Sequence, residues 1–90
     1  MPKSELVTRD CTLAELPAGL HARILAIEGP EVPLLAAHGL HPGAVVTVDD
    51  DAPFGGPRII RLGAARLAIA RTVARSVTVR PEARPESAAR

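Results

Sequence analysis

The sequence predicts a small, mainly β barrel of about five short strands, with one short helix inserted between the first and second. Three observations lead there. Two glycine-proline corners, Gly39-Leu40-His41-Pro42-Gly43 and Ala52-Pro53-Phe54-Gly55-Gly56-Pro57, bracket a β-branched run. Glycine reaches positive φ and proline holds φ at about −65°, so each corner can turn the chain sharply. Further runs of Val, Ile, Leu and Ala, each only a few residues long, lie between other turn signals. Phe54 is the single aromatic residue, so small aliphatic side chains must fill the interior, which suits a compact barrel better than a thick sandwich. Closing short strands on themselves also removes edges that would otherwise pair with other chains.

Residues 1–12 alternate weakly through Leu6 and Val7 and can lay down an edge strand. Leu13 to Leu16 reads as one helical turn, with Thr12 as N-cap and Glu15 completing a capping box. His21–Glu28 is the first firm strand. Its apolar residues fall on both parities, Ile24 against Leu25 and Ile27, so it is either buried on both faces or bulged. Glu31–His38 switches to helical spacing, with Pro33 fitting only the first turn and Gly39 ending it. Ala44–Asp49 is the second strand, with Ala44, Val46 and Val48 on one face. Arg58–Leu62 is the third, and Gly63-Ala64-Ala65 turns it into Arg66–Ala70, where Leu67 and Ile69 point one way. Thr72–Arg75 reads as one tight helical turn, and Ser76–Val79 closes the fold with Val77 and Val79 inward. The organisation is therefore an arm or edge strand over 1–11, a barrel over 12–80, and a disordered tail over 81–90.

Eleven basic and ten acidic residues nearly cancel, so the chain has no strong field for nucleic acid or anionic lipid. Arginines cluster from Arg58 onward, yet the stacking aromatics of single-strand binders are missing. No nucleic-acid partner is expected. One cysteine, Cys11, cannot form an internal disulfide, which suits a reducing cytosol. The N-terminus shows no apolar signal-peptide core, and no stretch approaches the ~20 apolar residues that span a bilayer. A cytoplasmic protein that is not membrane-embedded is the expectation.

The chemistry-bearing candidates are few. His38 and His41, three apart across the first corner, could ligate a transition metal, Fe2+ or Zn2+, if Cys11 or a second subunit added donors. No cofactor is fixed by this pattern. Asp49-Asp50-Asp51 lacks the glycine spacing of a calcium loop and reads as a solvated turn. No Gly-x-Ser-x-Gly, phosphate-cradling loop or glycine-rich dinucleotide turn occurs, so catalysis is not expected. The second corner exposes backbone around Pro53, Phe54, Gly55, Gly56 and Pro57, with Arg58 beside it. It is a docking edge for a partner or simply the connection between two strands, and both readings stand.

The ordered set Gly39, Pro42, Gly43, Ala52, Pro53, Gly55, Gly56, Pro57 and then Leu67-Ala68-Ile69-Ala70-Arg71 resembles the ferrous iron transport protein A (FeoA) family. A similar domain ends some iron-dependent repressors. The resemblance spans roughly residues 12–80 and implies an SH3-like barrel with the helix at 31–38 on its rim. It also implies a small cytosolic accessory of ferrous iron uptake, acting by contact with the membrane GTPase transporter FeoB. The alternative it leaves open is a metal-responsive module akin to the repressor domain. Family members carry basic residues early in the helix and a polar one before its last apolar position. Here those places hold Pro33, Leu34 and Ala37, which makes Leu34 an exposed apolar spot and a candidate for partner binding or a homodimer.

Overall fold

A computed structural model describes residues 9–51 and 56–82. Six strands and two short helices run in the order β1 (Cys11–Thr12), β2 (His21–Ile27), α1 (Val32–Ala37), β3 (Val45–Asp51), β4 (Arg58–Leu62), β5 (Ala65–Ile69), α2 (Arg71–Ala74) and β6 (Val77–Glu82). They form one antiparallel sheet in the order β1-β6-β2-β3-β4-β5. The mainly β reading therefore holds, with six strands in place of about five because Cys11–Thr12 adds a short edge.

The Leu13–Leu16 turn carries half of the capping box that its sequence suggests. Backbone N–H groups of Glu15 and Leu16 donate to the Thr12 carbonyl, at 2.9 and 3.1 Å. The Glu15 carboxylate in turn accepts from the Thr12 N–H at 3.0 Å, the second half of a capping box. The mixed parity of β2 resolves as a bulge. Its register against β6 shifts between Ile24 and Ala26, so Ile24 is buried while Leu25 and Ile27 are only half-buried.

Helix α1 carries Pro33 in its first turn and ends in a Schellman arrangement. Gly39, at φ +92°, donates to the Ala36 carbonyl at 2.9 Å, and Leu40 donates to Leu35 at 2.9 Å. That reversal drops Leu40 into the core, where it is 1% exposed. Gly43 then donates to the Ile24 carbonyl at 2.8 Å and feeds the chain into β3.

Two expectations change. The Asp49–Asp51 run is the end of β3, bulged between Val48 and Asp50, because cross-strand pairing with Ile59 and Arg58 holds it in the sheet. Pro81 and Glu82 belong to β6, paired with Ala22 and His21. Proline is tolerated there because β1 pairs only with Thr78 and Val79, so among the described residues no strand beyond Val79 needs the missing N–H. Residues 83–90, the rest of the expected tail, lie outside the described residues, as do residues 1–8.

One face of the sheet wraps a single apolar cluster that includes Leu13, Leu16, Ile24, Leu40, Val46, Val48, Ile60, Val77 and Val79. The ladder does not close, since β1 and β5 stand at opposite ends of the strand order. Arg58 of β4 instead reaches the turn that follows β1. One guanidinium nitrogen lies 2.8 Å from the Leu13 carbonyl, 3.1 Å from Ala14 and 2.6 Å from Leu16. A side chain thus ties together what strand pairing leaves apart. The outer face is polar and held by ion pairs, Arg80 with Asp10 at 2.9 Å and Arg23 with Glu82 at 2.7 Å.

Candidate protein-contact surface

The rim of the sheet at β5 pairs an exposed leucine with an apolar groove. Helix α1 is short, and its turn toward the core places Leu35 inward at 6% exposure while Leu34, the next residue around, stands out at 60%. Leu34 is the one large exposed hydrophobic side chain among the described residues. Beside it a groove of about 190 Å³ runs between α1 and β5, lined by Leu34, Leu67, Ile69 and Val73 together with Glu31 and His38. That volume falls below the ~300 Å³ at which small-molecule pockets begin, and suits an inserted aliphatic side chain. Alternation in β5 aims Leu67 and Ile69 toward this side, as its sequence indicates.

The second corner joins this rim through α2. Arg71 donates from Nε to the Gly56 carbonyl at 3.1 Å, and Pro57 is exposed. Pro53, Phe54 and Gly55 lie outside the described residues. Arg58 leaves the expected contact set. It is 3% exposed and turned inward, since the carbonyls of the Leu13–Leu16 turn draw its guanidinium into the interior.

His38 and His41 are both exposed. His38 lines the groove, and His41 Nδ1 sits 3.0 Å from the Pro42 carbonyl, which leaves Nε2 as its outward nitrogen. Among the described residues no three His, Cys, Asp or Glu side chains come together to hold a metal ion. The described residues therefore supply at most two imidazoles here, short of the closed tetrahedral set that a structural zinc needs. Cys11 is half-buried in β1. Burial, and then the charges of Glu15 and Asp10, push its thiol pKa up, away from the thiolate that binds metal or attacks electrophiles.

Asp49 anchors the other side of the rim. It accepts from Arg61 at 3.0 and 3.2 Å and also from Arg66, and these two arginines hold its carboxyl below the usual carboxylate range. The sequence gives no hint of this clamp, which arises from the bulge that re-aims Asp49. Glu31 as a groove residue was likewise invisible, because only the fold sets the helix start against β5.

The model of the FeoA domain matches residues 11–81. The chain belongs to the FeoA family. A crystal structure of an iron uptake regulatory protein (FeoA) is 32% identical, covering 82% of this chain and 99% of that one with a TM-score of 0.74. FeoA from Stenotrophomonas maltophilia, a prokaryotic SH3-domain protein solved in complex with zinc, is 26% identical over 76% of this chain and 87% of its own, at a TM-score of 0.66. The manganese regulator SloR, at 15% identity and a TM-score of 0.70, shares the fold alone. This chain covers 80% of its own length there and spans about a third of that regulator, 34%. No curated protein matches the sequence. The FeoA family is associated with ferrous iron transport. Among the described residues no helix is long and apolar enough to cross a membrane.

Proposed function

We propose that this FeoA-family protein is an accessory of ferrous iron uptake that works in the cytoplasm by touching the FeoB-type membrane GTPase. The observation that carries the reading is the apolar rim, Leu34 beside a side-chain-sized groove, on a small domain whose family is tied to ferrous iron transport. An exposed leucine beside a groove of side-chain size suits contact with another protein. Gly56 and Pro57 extend the contact surface along the second corner, with Pro53, Phe54 and Gly55 as its proposed continuation. Biolayer interferometry with the cytosolic domain of the transporter tests the reading, with and without a GTP analogue. Micromolar binding that weakens in Leu34→Asp is the expected result, and no binding in either nucleotide state refutes it.

A second reading, metal response, draws on the zinc complex of the Stenotrophomonas relative. His38 and His41 would supply two ligands for Zn2+ or Fe2+, and a second copy of the chain would have to bring the rest. Calorimetry with either ion decides it: heat that vanishes in His41→Ala supports the site, and no heat removes it.

A further inference from the structure

Strand β5 is a sheet end with defined free hydrogen-bonding groups. Leu62 and Ala65 flank a two-residue loop, so they exchange hydrogen bonds, and so do Ile60 with Leu67 and Arg58 with Ile69 at each second position. Arg66 and Ala68 fall between them. Their N–H and C=O groups therefore point away from β4, and no described backbone group outside the sheet bonds to them. Both faces beside this edge are hollow. On the core side lies the groove of Leu34, Leu67 and Ile69, and on the outer side an open hollow floored by Ile59 and Ala68. Glu31 in the groove receives no hydrogen bond or ion pair from any described side chain.

We propose that the free edge of β5 binds an extended segment of another protein as an added strand, with an aliphatic side chain in the groove and a Lys or Arg against Glu31. Arg66 and Ala68 supply the backbone pairing, and the pleat sends alternate partner side chains into the two hollows. The unpaired carboxylate of Glu31 gives the charge complement. A second copy of this chain, paired two-fold about Leu67 with Arg66 opposite Ala68, is the competing occupant, and sedimentation separates it from a peptide strand. This inference rests on the reading that the protein works by protein contact, and it names how the contact is made.

Panning a phage-displayed library of short random peptides against the full chain tests it, with the enriched peptides then synthesised and titrated by fluorescence polarisation. They are expected to alternate aliphatic residues and to carry one Lys or Arg. Ala68→Pro removes an outward N–H without touching the β4 ladder, and should weaken them about tenfold. Glu31→Gln should weaken them by a smaller factor that fades as salt rises. Amide exchange at Arg66 and Ala68 should slow when peptide is added. This measurement on the unaltered chain decides the matter if Ala68→Pro fails to fold. Failure to enrich any peptide, peptides that bind Ala68→Pro undiminished, or a dimer that Ala68→Pro dissolves in sedimentation each overturns the proposal. If the transporter domain fails to bind while peptides still choose β5, the uptake reading falls and the strand-docking one stands.

Discussion

Arg58→Met is the sharpest probe of how this sheet is held. The guanidinium is 3% exposed and bonded to the carbonyls of Leu13, Ala14 and Leu16, and no described backbone N–H takes its place there. Methionine fills much of the same volume but donates nothing. Two of the three carbonyls are then buried without a donor, each costing about 1–3 kcal/mol. Relief from burying a charge offsets part of this, so the net loss should be about 2–4 kcal/mol. A domain of this length has a total stability of about 5–13 kcal/mol, so the loss is a large fraction of the whole. Urea unfolding followed by far-ultraviolet circular dichroism measures it, and Tm should fall by at least about 8 °C. Arg58→Lys keeps a charge and a donor but not the planar fork, and should lose about 1–2 kcal/mol. If Arg58→Met is as stable as the unaltered chain to within about 0.5 kcal/mol, the guanidinium does not bind the turn to β4 and the reasoning fails.

Other perturbations read out different parts of the fold. Gly39→Ala adds a Cβ that would meet Leu62 Cδ2 at 2.8 Å on a backbone at φ +92°, and the cost in a denaturation curve should be about 1–3 kcal/mol. Asp49 has a depressed folded pKa, so its stabilising contribution is present above its unfolded pKa of about 4 and is lost as pH falls through the folded value. Asp49→Asn should flatten that acid limb of a Tm-against-pH profile, and an unchanged limb would deny the clamp. The raised pKa of Cys11 should make alkylation by iodoacetamide slower in the folded protein than in urea at mildly alkaline pH. Equal rates would show that the thiol is neither shielded nor shifted.

The first corner was legible because glycine and proline act locally. Gly39 ends α1 and Gly43 opens β3 as the sequence requires, and Glu15 reaches back to the Thr12 N–H, since all of these use residues within a few positions. The inward set Val46, Val48, Val77 and Val79 follows from alternation alone. Long-range chemistry was hidden. Arg58 looks like surface in sequence, yet carbonyls 42 to 45 residues away draw it inside. Asp49 looks like part of a solvated turn, yet a bulge sets it against Arg61 and Arg66, 12 and 17 residues on. Of the contact surface, Leu34 was visible as an apolar residue in a polar place, whereas the pairing of α1 with β5 that makes the groove depends on the completed fold.

The position of β6 has a consequence for truncated chains. This strand is the last described segment of the chain, yet it sits between β1 and β2, where Val79 faces Ile24 on one side and Cys11 on the other. Any stretch of the chain that stops short of Val77 therefore lacks an internal stave of its sheet, and the pairs that β6 makes reach back to residues 11–27. Truncation before Val77 would leave β2 exposed to aggregation.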